Sequence, residues 1–388
     1  MAADRAYLDH NASAPLLEAA RRAMLAALEA EGNPSSVHAE GRAARRLVET
    51  ARRQVAALAG GQADHVVFTS GATEAAATLL TPHWRMGRGA LRVSRLLVTA
   101  ADHPCILGGG RFPADAVSVL PVDGDGLIDL AALEAALAAH DRDAGLAMIA
   151  VHAANNETGV IQPVAEIGRI ARASGALVVV DAVQAAGRVR LDISDGSADF
   201  LILSSHKIGG PKGAGAIVGA SDLLMPLPLV PGGGQEKGHR SGTENVAAIA
   251  GFGAAAEEAQ AGLADMAAVE ALRDAVDAAI RASVPGATIF GEGAPRLPNT
   301  TFFDLPGMKA ETAQIAFDLA GVALSAGSAC SSGRVGPSHV LKAMGHGDQA
   351  SALRVSIGRS TGAREVSMFR EALQALVSRQ ARSATRAA

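Results

Sequence analysis

Two cysteines, Cys105 and Cys330, are the only thiols in this 388-residue chain. They are too few for a disulfide framework or a four-cysteine metal site, which leaves each available for chemistry in a reducing compartment. Aromatic residues are scarce too, and neither that scarcity nor the abundance of alanine carries a functional signal. An excess of one charge is also missing. The formal net charge of -4 gives no reason to expect nucleic acid as a partner. Arginines at 42, 45, 46, 52 and 53 recur at helical spacing among acids and alanines, as on a solvated helix face. No apolar run approaches the roughly 20 residues that span a membrane; the longest, 246–256, has about 11. The start, Met1-Ala2-Ala3-Asp4-Arg5, lacks a basic segment followed by an apolar one, so no secretory signal is expected. These absences predict a soluble, cytoplasmic protein with one large domain and a smaller one.

What is present is an alternation of short β-branched runs with amphipathic stretches. Strands are expected at 65–69, 95–99, 146–151, 176–180, 199–203 and 214–218, and helices at 16–30, 39–59, 130–139 and 164–174. Continuous apolar strands spaced by helices predict an α/β fold with a mostly parallel sheet covered on both faces. Residues 226–238, rich in proline and glycine, read as a loop, and 245–283 as one long helical stretch. Strands near 299–303 and 353–357 with helices at 310–320 and 363–379 predict a smaller α+β domain. The boundaries read as 16–255 for the large domain, and 1–15 with 256–388 for the small one.

The chemistry gathers where strands end. Lys207 lies in Ser204-Ser205-His206-Lys207-Ile208-Gly209-Gly210, about 26 residues after Asp181, which closes the run Ala176-Leu177-Val178-Val179-Val180. An amine and a carboxylate at the carboxyl ends of buried strands are what pyridoxal 5′-phosphate (PLP) requires. The amine condenses with its aldehyde, and the carboxylate keeps the pyridine nitrogen protonated. Ser70-Gly71-Ala72-Thr73-Glu74 follows a strand and opens a helix, so the backbone N–H groups of Ala72 and Thr73 and the Thr73 hydroxyl can hold a phosphate.

With these motifs the chain resembles PLP-dependent cysteine desulfurases of the class V aminotransferase group, housekeeping and nitrogen-fixation types, over nearly its whole length. The resemblance rests on Tyr7-Leu8-Asp9-His10-Asn11-Ala12, Gly32-Asn33-Pro34-Ser35-Ser36, Phe68-Thr69-Ser70-Gly71-Ala72-Thr73-Glu74 and His152-Ala153-Ala154-Asn155-Asn156-Glu157-Thr158-Gly159. It continues through Val180-Asp181-Ala182-Val183-Gln184, the lysine segment, Gly232-Gly233-Gly234-Gln235-Glu236, Arg240-Ser241-Gly242-Thr243, Ser325-Ala326-Gly327-Ser328-Ala329-Cys330 and Leu353-Arg354-Val355-Ser356.

The resemblance implies PLP fold type I and a set of roles. Lys207 tethers the cofactor and moves the substrate's Cα proton. Asp181 meets the pyridine nitrogen, His103 stacks on the ring and helps move protons, and Gln184 reaches the phenolic oxygen. Ser204 and His206 add phosphate donors. Thr243 would reach the phosphate of a second subunit, which implies a homodimer. Asn155 would contact both cofactor and substrate, and Arg354 would clamp the substrate carboxylate. Asn33 is either a turn residue or a substrate contact, and Asn156 reads as structural. Cys330, in a run of small residues, would be the nucleophile that takes sulfur from L-cysteine and passes it to an acceptor such as an iron–sulfur scaffold. It could transiently join a cluster held there, and no intrinsic metal is implied. Cys105 reads as a structural thiol.

The chain departs from the family where Ala75-Ala76-Ala77 replaces polar residues after Glu74. It also stops soon after 363–379, so scaffold docking through a longer tail is not expected. A selenocysteine lyase or a related class V aminotransferase is the alternative reading. A non-catalytic sulfur carrier is disfavoured by Lys207, Asp181 and Arg354.

Overall fold

The computed structural model describes residues 5–327, 337–347 and 352–387, with side chains described as far as residue 382. The chain opens with β1 (Ala6–Tyr7) and two helices, α1 (Glu18–Glu29) and α2 (Ala39–Leu58). In α2 the buried positions Gly41, Ala44, Val48, Ala51, Val55 and Leu58 fall at three- and four-residue intervals, which places one stripe against the core. Then follow β2 (Val66–Thr69), α3 (Ala72–Leu79), β3 (His83–Met86), β4 (Gly89–Thr99), α4 (Pro104–Leu107), β5 (Val117–Leu120) and α5 (Leu130–Ala138). β6 (Leu146–His152), α6 (Val164–Ser174), β7 (Leu177–Asp181), β8 (Phe200–Ser204), β9 (Gly215–Gly219) and β10 (Leu224–Pro226) complete the first sheet.

That sheet has the order β10-β3-β4-β6-β7-β8-β9-β2, with β5 also paired to β4. β5, β4, β6, β7 and β8 run parallel; antiparallel strands extend the sheet on either side. Side chains alternate between faces, so Val178 and Val180 join one buried cluster while Leu177 and Val179 join the other. This is why the central strands read as unbroken apolar runs.

The rest of the chain forms α7 (Val246–Ala261), α8 (Met266–Ser283), β11 (Thr300–Phe303), α9 (Ala310–Leu319), β12 (Val322–Ala323), β13 (Ser325–Ala326), α10 (His339–Ala343), β14 (Leu353–Ser356) and α11 (Ala363–Ala387). β11, β14 and β13 make an antiparallel sheet, and β12 pairs in parallel with β1. A separate core unites Ala6 and Leu8 with Val276, Ile280, Phe303, Phe317, Leu353, Phe369 and Leu373.

Two expectations change. The stretch expected as one long helix divides into α7 and α8 at a 3₁₀ turn, 262–265. Gly262 lies beneath the Arg359 guanidinium, which a side chain at that position would overlap. The hairpin β3–β4 and edge strand β10 were not foreseen. They form around Trp84, which is buried and donates its indole N–H to the Thr81 carbonyl at 2.8 Å.

Candidate active site

β6, β7 and β8 end side by side at His152, Asp181 and Ser204. β2 and β4 end at the same edge, where Ser70-Gly71 leads into α3 and Ala101-Asp102-His103 leads into α4. Open α/β sheets bind ligands at this carboxyl edge. A cavity of about 510 Å³ lies there, lined by Gly71, Ala72, Thr73, His103, Asp181, Gln184, Ser204, His206 and Lys207 among others.

Lys207 reaches the cavity because a short 3₁₀ turn, Ser205–Lys207, follows β8. Its Nζ donates to the carbonyl oxygens of Asn11 at 2.6 Å and Ala12 at 3.0 Å. Asp181 is buried, and desolvation pushes its carboxyl up to about 6 despite an N–H donated by Val183 at 3.0 Å. Burial, reinforced by the Lys207 charge, lowers the pKa of both His103 and His206 to about 4. Both rings are therefore neutral near pH 7. Nδ1 of His103 accepts the Cys105 N–H at 3.2 Å, which leaves the ring proton on Nε2. The Gln184 amide donates to the Asn11 carbonyl at 3.1 Å and accepts from Arg188 at 2.6 Å.

These residues fit PLP. Among the described residues no side chain caps the start of α3 and a Cβ at Gly71 would meet nothing within 4 Å, so the turn keeps free space beside open N–H donors. The raised Asp181 carboxyl is a buried acid short of a cation, which a protonated pyridine nitrogen would supply. Lys207 supplies the amine.

Four expected site residues sit elsewhere, and one lies outside the described residues. Asn155 is buried beneath the cavity: Oδ1 accepts from the N–H groups of Glu157 and Thr158, and Nδ2 donates to the Ala101 carbonyl at 2.9 Å. The neighbouring Asn156, expected to be structural, lines the cavity instead. Asn33 is exposed, and its Oδ1 accepts the Ser35 N–H at 2.9 Å in an Asx turn away from the cavity. Thr243 is exposed in an adjacent groove with Ser70 and Gly213.

Arg354 is 2% exposed and stands behind the cavity. Its Nη1 donates to the Asn156 carbonyl at 2.9 Å, and its Nη2 to Asp9 at 2.8 Å and Ser325 at 3.2 Å. Its Nε is buried with no hydrogen-bond partner among the described residues. Cys330 lies outside the described residues; the strand leading to it, β13, pairs Ser325 with Arg354.

Three contributors were missed. Cys105, expected to be structural, lines the cavity with Sγ 3.0 Å from His103 Nδ1. His152 also lines it, and its Nδ1 is 2.5 Å from the buried Asp102 carboxylate. Arg188 backs Gln184. His152 itself opens the motif that contains Asn155, whereas only spacing could have marked the other two: Cys105 follows His103 by two residues, and Arg188 follows Gln184 by four.

Residues 6–369 match the Aminotransferase class-V family. The chain is 40% identical over 387 residues to a cysteine desulfurase of Cereibacter sphaeroides, covering 96% of each chain. It is 36% identical over 393 residues to an IscS-like cysteine desulfurase of Mycobacterium tuberculosis, covering 99% of each. A NifS-like protein from Rickettsia africae superposes with a TM-score of 0.85 at 32% identity, over 96% of this chain and 99% of that one. The chain belongs to the class-V aminotransferases and, among them, to the PLP-dependent cysteine desulfurases.

Proposed function

We propose that this enzyme removes sulfur from L-cysteine through a persulfide on Cys330 and leaves L-alanine. The observation carrying the site assignment is the convergence of the Lys207 amine, the Asp181 carboxylate and the uncapped start of α3 on one cavity. When bound, PLP supplies an electron sink that loosens the bonds to the substrate's Cα. Ala72 and Thr73 would hold its phosphate, with Ser204 and His206 beside them. Asp181 would keep the pyridine nitrogen charged, and the neutral His103 ring would lie against the cofactor's face.

Lys207 would hold the aldehyde carbon until the substrate amine displaces it, after which its released Nζ would take the Cα proton and give it back only after the sulfur has left, as alanine is completed. Arg354 would turn from the Asn156 carbonyl and Asp9 toward the cavity to clamp the substrate carboxylate. Its Nε, without a hydrogen-bond partner among the described residues, is a donor available for that. The Cys330 thiolate then attacks the substrate sulfur. A sulfur–sulfur bond forms as the sulfur–Cβ bond breaks, its electron pair stays with carbon, and a proton completes alanine. Lys207→Ala should leave no cofactor fixed to the protein by borohydride. A linkage still reducible in that variant would remove Lys207 from this role.

We assign the small domain, 1–15 with 256–388, the task of presenting Cys330. We also infer a homodimer in which Thr243 serves the second copy's phosphate, because in its own chain it stands outside the cofactor cavity. A monomer in sedimentation would refute this. The persulfide sulfur passes to an acceptor protein in the cytoplasm, an iron–sulfur scaffold being the case to test first. No sulfur gained by such a scaffold from enzyme and cysteine would exclude it. No described helix is long and apolar enough to cross a membrane.

A further inference from the structure

Arg188 is 8% exposed, yet it makes no ion pair with an acid among the described residues. Its Nη1 donates to the Gln184 backbone carbonyl at 2.7 Å and to Gln184 Oε1 at 2.6 Å, and its Nη2 stands 3.5 Å from the Lys207 carbonyl. Burial and the Arg354 charge draw its pKa down to about 10, which still leaves it a cation at neutral pH. A buried charge without a counterion is rare, so its contacts call for an explanation.

Those contacts decide the state of Gln184. An amide has one acceptor oxygen and two N–H donors. With Oε1 held against a guanidinium, Nε2 must face the other way. One of its N–H groups goes to the Asn11 carbonyl at 3.1 Å. The second is left for the cavity that Gln184 lines. Flipping the amide would set Nε2 against a cation and lose a charge-assisted bond, so Gln184 shows the cavity a donor and no acceptor.

We propose that Arg188 is a positioning residue that locks the Gln184 amide with its N–H toward the phenolic oxygen of PLP, so holding that oxygen as an anion. The inference rests on the placement of Gln184 beside the cofactor. A donor fixed on that oxygen competes for it with the protonated nitrogen that links Lys207 to the cofactor. Arg188 therefore lowers the pH at which this nitrogen loses its proton.

The test is an absorbance-monitored pH titration of the cofactor-loaded protein. Arg188→Met should raise the midpoint by about one pH unit. Gln184→Ala should give a similar rise, and the double variant no more than either alone. Arg188→Lys, which keeps a charge and a donor, should titrate close to the parent. Where Arg188→Met does not fold, Arg188→Gln, shorter and uncharged, carries the same expectation. A parent-like midpoint in Arg188→Met beside a shifted Gln184→Ala overturns the inference, as do additive shifts in the double variant. Parent-like midpoints in both single variants overturn the placement of Gln184 as well.

Discussion

Asp181 shows how one carboxyl sets a pH dependence. Desolvation raises it from 3.8 to about 6 in the folded chain, whereas an unfolded chain leaves it near its ordinary value. Between those values the folded, cofactor-free protein holds a proton that the unfolded chain has released. The group's contribution is thus fully present below about pH 4 and is lost as pH rises through about 6, by up to about 3 kcal/mol. Urea unfolding of cofactor-free parent and Asp181→Asn checks the sign. The variant should gain on the parent between about pH 4 and about pH 7, and an equal difference at both would contradict the desolvation account. In the loaded enzyme the same variant should lose cofactor affinity, because the pyridine cation then lacks its partner.

The element that matters most is the turn into α3. Gly71 has an extended backbone, φ 160° and ψ 178°, and its Cβ position is open. Gly71→Ala should therefore leave the cofactor-free protein within about 0.5 kcal/mol of the parent. The added methyl enters space proposed for the phosphate, so cofactor affinity should fall about tenfold, near 1.4 kcal/mol. Fluorescence titration with PLP measures this, and parent affinity would move the phosphate elsewhere.

Elements of this kind were the legible part of the fold. β6, β7 and β8 announce themselves as continuous apolar runs because both faces are buried. The hairpin around Trp84 did not, since its pattern alternates weakly and its partner β10 is distant in sequence. Which of Asn155 and Asn156 lines the cavity was not legible for a related reason: in a tight loop one residue of phase decides which side chain faces it, and here that is Asn156. Lys207, Asp181, Gln184 and Thr73 were legible because strand ends fix them. The Arg188–Gln184 contact was not, because side-chain hydrogen bonds have no sequence period.

At the scale of the molecule, the site depends on contacts between residues far apart in the chain. Asp9 accepts from both Arg354 and Ser325, each at 2.8 Å, and Ser338 donates to the buried Glu157 at 2.5 Å. These bonds join the two ends of the segment containing Cys330 to the N-terminal motif and to the loop beside the cavity. Cofactor binding to the folded state alone should raise unfolding free energy by about 2.7 kcal/mol at a hundred times its dissociation constant. Lys207→Ala should show a smaller gain at equal PLP concentration, checked by thermal unfolding; equal gains would mean that the covalent link adds no affinity.

The central claim is that sulfur leaves cysteine for Cys330. Mass spectrometry of the intact protein and its peptides after brief exposure to L-cysteine tests it most directly. The expected result is a one-sulfur adduct on the Cys330 peptide, absent from Cys330→Ser, which keeps the cofactor's absorbance. An adduct on Cys105 instead, or undiminished sulfide and alanine release by Cys330→Ser, would contradict it.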